Sequence, residues 1–195
     1  MIVLPELKYN SDAEITDIQI DMETFDTAPS AKIISLALVG YNRNTAEAVH
    51  EIYARFKVAM MPGTVSRSTI NWWHREDYKN PGLLAEATGG EVDPLQFFDD
   101  LVSGFPQGDV KVWGNGSNFD VVILEETLKS LHCPVPWKFW NVRDLRTLLD
   151  IAEVNPRQCQ FDGDKHNALH DARHQTRMAL YAKQKIREAL HADRG

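Results

Sequence analysis

Apolar and polar residues alternate along Ile15-Thr16-Asp17-Ile18-Gln19-Ile20-Asp21, which predicts a strand with one buried face. Residues 31–41 are more continuously apolar and predict a second, more deeply buried strand. Residues 49–58 alternate again and predict a third. Thr24 to Ser30, with Pro29, reads as a turn, and Asn42-Arg43-Asn44 as the hairpin between the second and third strands. The period then changes. Residues 66–77 predict a helix capped by Ser66 or Ser68, ended by Asn80-Pro81-Gly82. Asp93-Pro94 opens another helix with Leu95, Phe98, Leu101 and Val102 on one face. Residues 110–113 predict a short strand, and Gly114 to Asn118 a loop into a helix over 119–132. Residues 137–141 read as a last strand, 144–152 as a helix and 155–165 as a polar loop. One long helix runs from about Asn167 to near Ala192. Residues 1–14 are mixed and polar and read as a loosely attached N-terminal arm.

This order predicts an α/β fold with a mixed sheet of about five strands flanked by helices. With 195 residues, 43% hydrophobic and 25% charged, the chain suits a single domain, residues 1–195, with a core of its own. No stretch approaches the ~18 apolar residues of a membrane span, and no signal peptide is visible, so no membrane partner is expected. Cys133 and Cys159 lack metal-type spacing and read as reduced thiols of a cytoplasmic protein. A net charge of −7 argues against a protein that coats nucleic acid through a basic surface. It agrees with carboxylates gathered to hold divalent cations, which reverse the local sign once bound.

Three places combine acidic groups with structure that exposes them. Asp21 and Glu23, two residues apart at the end of the first strand, point to the same side. They read either as a solvated strand end or as a pair that a cation must separate. Asp120 opens the helix after the Gly114 to Asn118 loop, where a carboxylate either meets the positive helix end or faces a ligand. His166 and Asp171 open the last helix, where they could set a base beside a metal ligand. His166, His170 and His174 recur every four residues, which fits a polar stripe or a zinc pair made by His170 and His174.

Together these places, in this order, resemble the DEDDh family of 3′–5′ exonucleases on the ribonuclease H-like fold. Within it the chain is most similar to the phage exonuclease A type and related bacterial exoribonuclease-like domains. Supporting stretches are Ser68-Thr69-Ile70-Asn71-Trp72-Trp73, the run from Lys138 to Thr147, and the His-x3-His-Asp form of the last motif. Met22 departs from the small or polar residue frequent in the family but faces away from its neighbours. His170 stands where an acidic residue is often found.

The resemblance implies a metal-dependent enzyme that hydrolyses phosphodiester bonds at the 3′ ends of single-stranded DNA or RNA. Asp21, Glu23, Asp120 and Asp171 are then the ligands of two divalent ions, Mg²⁺ or Mn²⁺, and His166 is the general base. Asp and Glu suit such hard cations, and the ordinary pKa of a histidine suits a base near neutral pH. Thr24 and Phe25 are expected to touch the 3′-terminal nucleotide. One of Trp72 and Trp73 could stack on a base, and Trp73 is taken as that residue. Asn118 is expected to reach the substrate or cap a helix, and Arg143 and Arg146 to meet phosphate or form surface ion pairs. Monomers and dimers both occur in the family, with a homodimer expected here. A catalytically silent module on the same fold, binding nucleic acid or a partner, is the alternative.

Overall fold

The computed structural model describes residues 1–192. The strands are β1 (Lys8–Tyr9), β2 (Asp17–Thr24), β3 (Ile33–Asn42), β4 (Glu47–Arg55), β5 (Lys111–Gly114) and β6 (Val142–Asp144). The helices are α1 (Arg67–Lys79), α2 (Leu83–Thr88), α3 (Pro94–Ser103), α4 (Asp120–Ser130), α5 (Leu145–Ile151) and α6 (Ala168–Ala192). The six strands form one mixed sheet in the order β1-β4-β3-β2-β5-β6. β2, β3 and β4 are an antiparallel meander, while β1, β5 and β6 each join it in parallel. Among the described residues, no helix is long and apolar enough to cross a membrane.

The alternation in β2 divides the molecule. Ile18, Ile20 and Met22 face a core shared with Phe98 and Leu101 of α3 and Val121, Leu124 and Leu128 of α4. Asp17, Gln19, Asp21 and Glu23 face the other way, toward α6. There the contact is made by small residues: Ala37 and Val39 of β3 meet Ala168 and Ala172 of α6. Alanines on both sides let the helix lie close to the sheet, so residues at the rim of that contact come within reach of β2.

Two expectations are corrected. The N-terminal arm is packed. Leu4 is only 3% exposed, in a cluster with Leu149 and Met178. Ile2 exchanges backbone hydrogen bonds with Gln158 and Gln160, and Arg177 donates to the carbonyls of Leu4 and Pro5 at 3.0 and 2.8 Å. Mixed polarity hid this because one side of the segment faces solvent. The last strand also begins later than expected. Phe139–Asn141 is a 3-10 turn that leaves Phe139 and Trp140 exposed, and the strand is Val142–Asp144. Trp137, in the main core with its indole N–H on Glu125 Oε1 at 2.9 Å, fixes the chain before that turn. α2 was not legible in the pattern.

Candidate active site

β2 brings four polar side chains to one face, and their partners separate structure from chemistry. Asp17 is fully buried and satisfied: Arg43 Nε donates to Oδ2 at 2.6 Å and Trp113 Nε1 to Oδ1 at 2.7 Å. Asp21, 9% exposed, has no such cation. It accepts from Gln175 Nε2 at 2.6 Å, and Gln175 Oε1 in turn accepts from Gln19 Nε2 at 2.7 Å. Two neutral carboxamides thus orient Asp21 without neutralising it. At Glu23 the pairing with β3 shifts register, which ends the regular ladder beside the carboxylate.

Asp120 stands in the first turn of α4, 4% exposed, above the end of β5. A side chain at Gly114 would crowd it, since a Cβ there would lie 3.0 Å from Asp120 Oδ2. Asn118 does not cap this helix. Phe119 occupies the cap position without a side-chain bond, and the Ser117 amide donates to Asp144 Oδ2 at 2.8 Å.

The third element is the entry to α6. The Asn167 carboxamide oxygen caps it, accepting from the Leu169 and His170 amides at 3.1 and 3.3 Å. Just before it, His166 takes left-handed backbone, φ 64°, which folds its N–H back onto Asp171 Oδ2 at 2.9 Å. That reversal puts a histidine five residues upstream on the same side as Asp171. His170, which had no explanation from sequence, secures the preceding loop. Its Nδ1 accepts from the Asp164 amide at 2.9 Å, and its ring packs on Gly163, where φ is +118° and a Cβ would collide with it.

The three elements converge. Ligand oxygens of Asp21, Glu23 and Asp171 lie within 4.8 Å of one another. Asp120, His166, Asn115, Gly116 and Arg146 line the same cleft. Burial, with repulsion from Asp120, Glu23 and Asp171, holds Asp21 well above the ordinary carboxylate range. Burial, then Asp171 and Asp120, pushes Glu23 up to about 8. Burial lifts Asp120 to about 7, against the pull of the Gly116, Asp120 and Asn115 amides and of Arg146. Burial also raises Asp171, opposed by the His166 amide. Among the described residues, no ion pair reaches Asp21, Glu23 or Asp171. An oxygen-only donor set with unrelieved mutual repulsion fits hard divalent cations. His170 and His174 do not form a comparable set. His170 Nδ1 is occupied, and His174 is buried beside Phe161, with burial lowering its pKa.

The residues expected to touch substrate are distributed less evenly. Thr24 lines a hollow adjoining the cleft, shared with Glu23, Trp72, Arg75 and Phe119. Phe25 is buried against Trp73 and Ile34, and its amide donates to the Lys32 carbonyl. Trp73 is a correction: it is 1% exposed and its indole N–H donates to the Thr24 carbonyl at 2.9 Å. Trp72 is the tryptophan that borders the hollow. Asn118 is exposed outside the cleft, and the Arg143 guanidinium turns to the carbonyls of Trp140 and Val142. Arg146 does reach the cleft. Gln175 and Phe119 were missed. Gln175 carried a usable signal, one helical turn past Asp171 on a predicted helix.

The chain is similar to known proteins. An exodeoxyribonuclease of Enterobacteria phage T4 is 24% identical over 200 residues, spanning 85% of this chain and 88% of the relative. The nuclease domain of 3′hExo, a DEDDh family member solved with rAMP, superposes with a TM-score of 0.56 at 16% identity, covering 89% of this chain and 94% of that one. E. coli Exonuclease I, solved with a dA16 oligonucleotide, gives a TM-score of 0.61 at 15% identity, with 88% of this chain on 41% of the larger enzyme. The family described as the 3′-5′ exoribonuclease Rv2179c-like domain matches residues 16–182, which takes in all four carboxylates and His166. The chain therefore belongs to that family and is a 3′–5′ exonuclease on the DEDDh fold.

Proposed function

We propose that the chain trims single strands from the 3′ end by hydrolysis, using two divalent cations, Mg²⁺ or Mn²⁺, and His166 as general base. The convergence of Asp21, Glu23 and Asp171, with Asp120 and His166 on the same cleft, carries the reading. Asp21, Glu23 and Asp171 would hold one ion, and Asp120, with Asp21 shared, the other. When bound, the ions supply Lewis acidity at the phosphate, charge relief for the leaving 3′ oxygen and a lower pKa for the attacking water. The protein's own part is positional. Gln175 orients Asp21, His166 takes the proton of the water, and Arg146 faces the phosphate at the cleft. The terminal nucleoside sits in the adjoining hollow, between Trp72 and Phe119 and above Thr24.

Both sugars belong to this reading: the family description supports RNA and the name of the phage relative supports DNA. The site draws on β2, α4 and α6, so the chain serves as one catalytic domain. Cys133 and Cys159, buried and free, support a cytoplasmic setting. The test is 5′-labelled single-stranded RNA and DNA incubated with Mg²⁺, Mn²⁺ or EDTA. A metal-dependent ladder shortening one nucleotide at a time is expected, and the faster ladder identifies the preferred sugar. Intact strands throughout, or internal cuts on a 3′-blocked strand, would contradict the reading.

A further inference from the structure

Trp72 stands between two spaces. Its indole packs on the His166 imidazole with ring centroids 4.9 Å apart and planes at 86°. The same side chain borders the hollow beside Glu23 that Phe119, Thr24 and Arg75 also line. His166 lines the carboxylate cleft next to it. One aromatic side chain therefore touches both the candidate base and the space for the terminal nucleoside.

His166 depends on such a contact. Its backbone is in the left-handed region, at the end of an exposed loop, and its hydrogen bond to Asp171 comes from the backbone amide. Among the described residues its imidazole has no hydrogen-bond partner, so packing sets the ring's direction. Trp72 is itself well placed to set it. It packs at 79° on Trp73, centroids 5.1 Å apart, and Trp73 is buried and tied to the Thr24 carbonyl. A continuous chain of contacts thus runs from the residue after Glu23, through two tryptophans, to His166. Aromatic pairs in this edge-to-face arrangement contribute beyond their buried area.

We propose that Trp72 is a positioning residue: it aims the His166 imidazole at the carboxylate cleft, and a nucleoside seated against its other side holds it in place. This rests on His166 being the general base. The ring gains no chemistry from Trp72. It gains a direction, and a displacement of about 1 Å at a reacting group can cost 10²-fold in rate.

The test is a double-mutant cycle on single-turnover release of the 3′-terminal nucleotide at saturating protein. Trp72→Ala should lower the rate by about 10²-fold, and Trp72→Phe, which keeps an aromatic wall, should recover most of it. The double variant Trp72→Ala/His166→Ala should be no slower than His166→Ala alone, since a positioning residue has nothing left to position. Multiplying losses would overturn the proposal, as would a Trp72→Ala variant with weaker binding and an unchanged saturated rate. If Trp72→Ala lowers the melting temperature, Trp72→Leu carries the same cycle. Wild-type turnover by His166→Ala would overturn the base assignment and this proposal with it, a result distinct from additivity.

Discussion

Gln175 donates to Asp21 at 2.6 Å while its oxygen accepts from Gln19 at 2.7 Å, so a buried carboxylate of the cleft is aimed by a neutral relay. A cation in that place would satisfy Asp21 and remove the charge that a metal needs. The carboxamide fixes direction and leaves the charge available. Gln175→Ala should therefore lower metal affinity or turnover by about 10- to 100-fold with the fold retained, measured by Mn²⁺ calorimetry and initial rates. Gln175→Lys, which would put an ammonium beside Asp21, should abolish metal binding.

The raised carboxylate pKa values have a thermodynamic consequence. Glu23 is pushed to about 8 and Asp120 to about 7, above the ordinary range near 4. In that interval the folded, metal-free protein holds more protons than the unfolded chain, so its stability falls as pH rises. The loss should begin near pH 4 and be complete above about pH 8. Divalent cations bind the ionised form, so their stabilisation should grow over the same interval. Melting temperatures in EDTA and in Mn²⁺ from pH 5 to 8.5 should diverge, the EDTA curve falling. Parallel curves would contradict the assignment of these groups to a metal site.

Trp73 and Trp72 are adjacent but do different work. Trp73 is buried and tied to Thr24, and Trp72 borders the hollow beside the cleft. Trp73→Ala should cost about 3–5 kcal/mol of stability, read by urea unfolding, whereas Trp72→Ala should act chiefly on rate.

The N-terminal segment completes the support beneath α5 and α6. Leu4 lies with Leu149 and Met178 in one cluster, and Arg177 binds its carbonyl. Leu4→Ala should destabilise the protein by about 2–5 kcal/mol with the activity of the folded fraction unchanged, as measured by unfolding and by assays below the transition.

The carboxylates were legible in the sequence because their placement follows from local periodicity. A two-residue spacing on a strand sets Asp21 and Glu23 on one face, and helix starts expose Asp120 and Asp171. What sequence did not reveal depends on how elements meet. The 3.6-residue period separates Trp72 from Trp73 by an angle but does not say which points inward. That choice was made by the Thr24 carbonyl waiting for the indole N–H of Trp73. The packed arm was hidden because Leu4 is its one deeply buried side chain. The late start of β6 was hidden because Phe139 and Trp140 have the composition of a strand yet lie exposed in a turn. His170 gained its meaning only once the loop carrying Gly163 folded back over it.

In the proposed mechanism Asp21 and its neighbours hold the divalent ions on which 3′ trimming depends. The most direct measurement is the single-turnover release of the 3′-terminal nucleotide as Mg²⁺ is titrated, for the wild type and Asp21→Asn. The wild-type rate should rise from background in EDTA to a plateau, while Asp21→Asn, nearly equal in size, stays at background at every Mg²⁺ concentration. An EDTA-resistant wild-type rate, or an Asp21→Asn plateau equal to the wild type, would contradict the account.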